Sequence, residues 1–484
     1  MKLKIINVGI VGSGPNAAIA AEYFSQFNNI RITMLDAGIN NKKKFQIKNE
    51  GFIPKKSFFG NFFMYKRADN LKFNFKNAEF DTSHAYGGLS NVWGANISYL
   101  SETYQKKWGM KKTSFLKAFK FVISKIPHLG ITDEIDFLNK YKFSSSHLIK
   151  NLNLKQSVLK KLRENNLKFG LSKLAIDKNK CTLCTKCMEG CEPDAIFNSI
   201  HLIEDLVKKN KIKYIPNILV DKFYEKSNKV FLNALNIGNN KSVTYEFDLL
   251  FVGAGAIDST IIFDKSLNGP KSYIVKESKK YYKLFFSFGS INSKISETIS
   301  LSHYFIQHNL NESRIHAQLY PIFFILRFIF KGKLSWMLKL FSFFLKRLYV
   351  CMIYLDSEDS GNIKINFNDD YSRCDVISFE KKRSEARLNK FIKTMKKFIL
   401  DLKLIPLPFV LSSKLGHSQH FGSTMPMMKK AKKFNVDMLG RPFGFKKVSF
   451  IDASVIPSIP AEPTTINTMT NAVRICDEML SNER

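Results

Sequence analysis

Two histidines stand close together in Gly416-His417-Ser418-Gln419-His420-Phe421-Gly422-Ser423-Thr424. An unperturbed imidazole titrates at about 6.5, so either ring can take a proton at working pH. A Gly-Ser-Thr turn follows directly, a setting in which a pair of histidines points to a site rather than to packing. Further on, Pro460-Ala461-Glu462-Pro463-Thr464-Thr465 contributes an acid, Glu462, which can donate a hydrogen bond only when protonated.

A second set of reactive side chains is Cys181, Cys184, Cys187 and Cys191, spaced C-x2-C-x2-C-x3-C with Pro193 close behind. That spacing matches the ferredoxin-type run, in which short loops wrap thiolates around an iron–sulfur cube. Glu192 between the last cysteine and the proline departs from it. The fourth cysteine of such a run can serve a different cluster, so both [4Fe-4S] and [3Fe-4S] centres fit. Structural thiols and a zinc ion are the other readings, although zinc is better served by C-x2-C pairs set further apart. An iron–sulfur centre carries single electrons, which favours a dehydrogenase over an enzyme that hands electrons to oxygen.

These groups need elements to position them, and the first is a nucleotide crevice. Ile5 to Val11 reads as a buried parallel strand, and Gly12-Ser13-Gly14-Pro15-Asn16-Ala17 fits G-x-G-x-x-A at the opening of a helix. Gly12 permits the tight turn, Gly14 lets a pyrophosphate reach bare backbone, and Ala17 lets helix and strand pack closely. A second strand, Ile30 to Leu35, ends at Asp36, about 20 residues on, where an acid can accept from a ribose diol. Later the pattern resumes: Ile200 to Lys209 reads as a helix, Lys211 to Val220 as a strand, and Phe247 to Val252 as a buried strand. That last strand runs into the small-residue turn Gly253-Ala254-Gly255-Ala256. The sequence therefore predicts an α/β chain: a Rossmann-like dinucleotide domain, discontinuous in sequence, with a second α+β substrate domain.

The expected organisation is 1–100 for the first part of the nucleotide domain, 101–170 for a Lys-rich helical insert, and 171–265 for the resumed sheet with the cysteines. Residues 266–414 then form the substrate domain, and 415–484 close the nucleotide domain. With 484 residues, 45% hydrophobic and 24% charged, the chain can bury two cores. Its formal net charge is +34, spread along the whole length, and no nucleic-acid module appears. Lys2 and Lys4 lead straight into the first strand, which predicts no secretory leader, a cytoplasmic protein and reduced thiols.

Four ordered motifs together resemble the glucose-methanol-choline (GMC) oxidoreductases. They are the glycine-rich start with Asn16, Tyr86-Gly87-Gly88-Leu89-Ser90-Asn91-Val92-Trp93-Gly94, Val252-Gly253-Ala254-Gly255-Ala256, and Val448-Ser449-Phe450-Ile451-Asp452-Ala453-Ser454-Val455-Ile456-Pro457. The resemblance implies FAD as the dinucleotide. It places Gly88, Ser90, Asn91 and Trp93 along the flavin, Asp452 and Ala453 near the pyrophosphate and ribityl chain, and Gly255 and Thr464 in the same cofactor site. Bottom-up, Gly87 and Gly88 allow backbone to approach a planar ring, while Ser90 and Asn91 offer hydrogen-bonding groups.

The resemblance further implies a histidine at the flavin face that takes a hydroxyl proton as hydride leaves the same carbon. His420 is the expected base and His417 the alternative. Relatives usually carry Asn or His before Pro-Thr, where this chain has Glu462. Glu462 is then a protonated partner, the base itself, or a solvent-facing side chain. The implied reaction is oxidation of a small-molecule alcohol, such as a sugar or lipid-linked sugar, with an unidentified electron acceptor. An oxygen-using oxidase with structural cysteines and a flavin-binding protein without turnover remain the rival readings.

Residues 319–355 interleave Phe, Leu and Ile with Arg327, Lys331, Lys333, Lys339, Lys346 and Arg347. No apolar run reaches the ~18 to 20 residues of a spanning helix. The segment predicts interfacial helices at an anionic membrane, on its inner face, or a buried helix pair in the substrate domain.

Overall fold

The computed structural model describes residues 4–39, 66–130, 133, 154–185, 187, 191–288, 299–310, 313–322 and 340–483. Its first layer is a five-stranded parallel sheet in the order Val448–Phe450, Leu249–Val252, Ile6–Val11, Ile30–Leu35, Ile212–Ile215. Parallel strands covered on both faces read as continuous apolar runs, and Leu249–Val252 is buried at every position. Helix Pro15–Phe24 follows the first strand and packs against Thr465–Glu483 and Ser199–Lys208. Ala17, Ala18, Ala20 and Ala21 are fully buried on it, because small side chains let sheet and helices approach on all sides. This is the expected Rossmann-like domain, assembled from distant parts of the chain.

The strand expected over Lys211 to Val220 is two strands. Ile212–Ile215 completes the parallel sheet, and Ile218–Lys226 opens an antiparallel meander with Lys229–Asn236 and Lys241–Phe247. Pro216 lacks an N–H for either ladder, and Asn217 turns the corner at φ 62°.

A six-stranded antiparallel sheet roofs the nucleotide crevice, in the order Leu404–Ser412, Lys280–Ser287, Leu348–Leu355, Ser313–Pro321, Tyr304–Leu310, Leu167–Leu171. Its register sets three cross-strand rows on the crevice side: Lys280, Tyr354 and His316; Tyr282, Met352 and Gln318; Leu284, Val350 and Tyr320. A further sheet, Phe421–Gly422, Ser272–Glu277, Asn362–Phe367, Arg373–Phe379, Lys72–Lys76, carries the chain beyond His420 into place.

The helices expected within 319–355 fall mainly on 323–339, which lie outside the described residues. Leu319–Pro321 and Leu348–Leu355 are inner strands of the roof, apolar on both faces because both are covered, which erases the period-two signal. Between those strands Ser342–Leu345 is helical, and so are Ile322 and Leu340. Among the described residues no helix is long and apolar enough to cross a membrane.

Candidate active site

A cavity of about 1950 Å³ extends from the glycine turn to the roof sheet. At its nucleotide end Gly12 has φ +97°, and a Cβ there would meet the Gly253 carbonyl at 2.6 Å. A Cβ on Gly14 would meet no protein atom within 4 Å, so the backbone there faces open space at the start of a helix with no side-chain cap. This is the cradle that a pyrophosphate requires. Asp36 lines the same cavity, and burial raises its carboxyl to about 6 despite hydrogen bonds donated by Ser13 Oγ (2.6 Å) and Tyr214 OH (3.0 Å). Ala17 packs under Gly253, and Asn16 is held between the Ile451 carbonyl and Thr468 Oγ1. The residues present fit a dinucleotide.

The loop Tyr86 to Gly94 is pinned from within. Gly87 and Gly88 take φ +83° and +55°, turning the chain into a short 3-10 segment at the cavity wall. Ser90 Oγ donates to the Gly87 carbonyl at 2.6 Å, and Asn91 Nδ2 donates to the carbonyls of Tyr86 and Gly88. Asn91 is therefore a brace of the loop, outside the cavity lining, whereas Gly88, Ser90 and Trp93 lie along it. Gly255 N–H and Ser259 Oγ both donate to Asp452 Oδ2, which ties the C-terminal segment to the first turn of helix Ala256–Leu267. Ala453 and Thr464 lie on the cavity wall beside it.

Among the described residues, one group of three ligand-type side chains converges tightly: Asp69, His84 and Asp258. Arg67 already fills it, donating to both carboxylates at 2.6 Å. Burial opposes the Asp258 charge, but the Arg67 guanidinium and then His84 hold that carboxyl far below the usual range. It is an ion-pair brace between residues 66–84 and the 256–267 helix.

At the chemical end His420 lines the cavity, its ring stacked on Tyr354. Nδ1 is enclosed without a partner, and the half-buried residue forms part of the cavity wall. Burial, reinforced by the Lys280 charge, lowers the imidazole to about 3, so the ring is neutral with a lone pair available. His417 is exposed at the cavity edge, and its carbonyl accepts from Lys280 Nζ at 2.9 Å. Glu462 does not face solvent and is not part of the cavity lining. It is fully buried, and Arg314 Nη1 donates to its Oε1 at 3.0 Å.

Several site residues carry no local sequence signal. Lys280 is buried in the cavity wall, and desolvation lowers its amine to about 8. Glu277, raised to about 7 by burial, accepts from Gly416 N–H and from Ser418 Oγ, and so holds the histidine turn. His316 is fully buried with neither ring nitrogen bonded, lowered to about 3 by burial and then by His420 and Arg314. Lys280, Tyr354 and His316 form one row of the roof; only strand register could have revealed it.

All four cysteines line a small hollow walled by Ile176, Leu183, Pro193 and Ile196. No three of their thiols come within 4.8 Å of one another. Leu183 and Thr185 adopt φ +53° and +61°, so the loop turns sharply between the thiols. Ala195 N–H donates to Cys191 Sγ at 3.2 Å. Ile196 adjoins Phe197, whose carbonyl accepts from Trp93 Nε1 at 2.8 Å, so one contact separates this hollow from the loop Tyr86 to Gly94.

Residues 357–472 match the family model described as GMC oxidoreductase. A search of curated proteins gives no significant match. Among solved structures, pyridoxine 4-oxidase from Mesorbium loti shares the fold with a TM-score of 0.63 at 11% identity, over 98% of this chain and 99% of that one. The match in sequence to the GMC oxidoreductase model is thus confined to residues 357–472, which contain the last of the four motifs, Val448 to Pro457, and the solved structure adds a likeness of fold along the whole chain.

Proposed function

We propose that the chain is an FAD-dependent dehydrogenase that oxidises a CH–OH group. The observation that carries this reading is the continuity of one cavity from Gly14 and Asp36, past Gly88 and Trp93, to His420 in its wall. Gly12, Gly14 and Asp36 would hold the dinucleotide, and Gly88, Ser90 and Trp93 would flank its ring. When bound, FAD supplies the acceptor for a hydride. His420 Nε2 accepts the hydroxyl proton as the C–H bond breaks, and Tyr354 keeps the ring in its plane. The roof excludes water above the reacting carbon. Glu462, held by Arg314, acts on the site through strand Ser313–Pro321 rather than as a base.

Cys181, Cys184, Cys187 and Cys191 are proposed to hold an iron–sulfur cluster that passes electrons on singly. What supports this reading is the C-x2-C-x2-C-x3-C spacing together with the one hollow that all four cysteines line. The acceptor beyond it is a one-electron carrier, and the substrate is a small alcohol, a sugar or lipid-linked sugar included. Peripheral attachment to an acidic membrane surface fits the net charge of +34.

The test is anaerobic purification followed by denaturation and metal analysis. FAD should be released, iron and acid-labile sulfide should co-purify, and Cys184→Ser should remove both while FAD stays. Stoichiometric zinc without iron would overturn the cluster. Folded protein that holds only a nicotinamide nucleotide would overturn the flavin reading.

A further inference from the structure

The roof sheet ends at an edge strand, Leu404–Ser412, whose outer residues are unusually bare: Phe409 is 76% exposed and Leu411 68%. Both also line the mouth of the active-site cavity. The register slips between Lys283 and Phe285, so Leu407 to Phe409 bulge out of the ladder. Ile405, opposite Phe286, continues the apolar strip, and Phe286 packs on Phe344 at 5.7 Å. Phe341, Phe343 and Phe344 follow, at 53%, 65% and 60% exposed. A contiguous apolar face of this kind marks an interaction site.

Two observations identify its occupant. Pro406 and Pro408 lack the N–H groups that another strand would need, so the edge is blunted against pairing with a second copy of the chain. Exposed Lys346 and Lys403 adjoin Phe341–Phe344 and Leu404 along the chain, exposed Lys396 ends a helix, Arg383–Lys396, that packs against the edge strand, and the Arg347 guanidinium lies over the Phe343 ring at 4.1 Å. Aromatic side chains set among cations suit the headgroup layer of an acidic bilayer.

We infer that the rim Leu404–Ser412 with Phe341–Phe344 docks on an anionic lipid bilayer, and that the substrate is an alcohol bearing a hydrocarbon tail drawn from it. The cavity wall agrees: Leu411, Leu284, Val350 and Met352 lie between the mouth and His420, an apolar lining for a tail with the hydroxyl at the polar row. The substrate part rests on the proposed chemistry at His420; the docking part does not.

Flotation of the flavin-loaded protein with phosphatidylcholine vesicles, with or without about 30% phosphatidylglycerol, tests the docking. The protein should float with the acidic vesicles, and Phe409→Asp and F343S/F344S should each lower partition about tenfold or more with flavin content unchanged. Failure of the parent protein to float, undiminished flotation of both variants, or a parent dimer that the variants split would overturn it. Separately, linear primary alcohols should reduce the flavin with an apparent KM that falls as the chain lengthens. A KM indifferent to length overturns the lipid substrate; if no alcohol reduces the flavin while flotation behaves as stated, the chemistry has failed and the docking surface stands.

Discussion

The ring of Tyr354 lies over that of His420, with centroids 4.8 Å apart and planes 24° from parallel. Tyr354 OH donates to the Met352 sulfur at 3.8 Å, a weak contact, so what Tyr354 gives the site is its ring face. Tyr354→Phe should therefore leave flavin reduction nearly unchanged. Tyr354→Ala should slow it about fivefold at constant flavin content, as expected for a stacking contact of about 1 kcal/mol. His420→Ala should slow it by roughly 100- to 10,000-fold, with His417→Ala far milder. Anaerobic single-turnover bleaching measures all four.

The lowered His420 also sets a pH profile. Its base form persists down to about 3, so bleaching should show no histidine step around 6.5. Lys280→Met removes the cation that adds to the shift, and the acid limb should move to higher pH. A parental limb at 6.5 lost in His420→Gln would show that the ring is not desolvated.

His316 makes the same shift visible in stability. With its folded pKa at about 3, below the unfolded value, the unfolded chain binds more protons between those limits, and the stabilising contribution is lost as pH falls from about 6.5. His316→Phe should flatten that slope by about 1.4 kcal/mol per pH unit. Denaturant melts from pH 4 to 7 give the comparison.

Gly12 and Gly14 should part company on substitution. A side chain at Gly12 strikes the Gly253 carbonyl and strains a φ of +97°, so Gly12→Val should lower the yield of folded protein. Gly14→Val meets only the space a pyrophosphate needs, so it should fold and purify without flavin. Circular dichroism with flavin absorbance separates the two outcomes.

Glu462→Gln breaks the Arg314 ion pair and leaves a poorly solvated cation. A loss of about 3 kcal/mol is expected, largely recovered in Arg314→Met/Glu462→Leu, with flavin reduction changed less than in His420→Ala. Abolished reduction at parental stability would make Glu462 the base.

How much of this was legible follows from distance along the chain. Gly12, Gly14 and Asp36 are local to one strand-turn-helix unit, and the histidine turn lies within a few residues of its glycines, so composition and spacing suffice. Lys280, Tyr354 and His316 come from strands whose register no local pattern records. Glu462 meets Arg314 across 148 positions, so its role as an ion-pair partner is invisible until the roof is built. At the two ends of 319–355, Leu319–Pro321 and Leu348–Leu355 carry no strand signal because strands covered on both faces lose their alternation. The break at Pro216-Asn217 was written in the residues themselves.

The parallel sheet has a consequence for synthesis. Leu249–Val252, buried at every position, borders Val448–Phe450, which leaves the ribosome some 200 residues later. At roughly 5–20 residues per second, that strand edge stays uncovered for tens of seconds. During this interval it offers unpaired amides and apolar side chains to any neighbouring nascent chain. Slow translation between 253 and 448 should therefore lower the soluble yield, and chaperone supply should restore it.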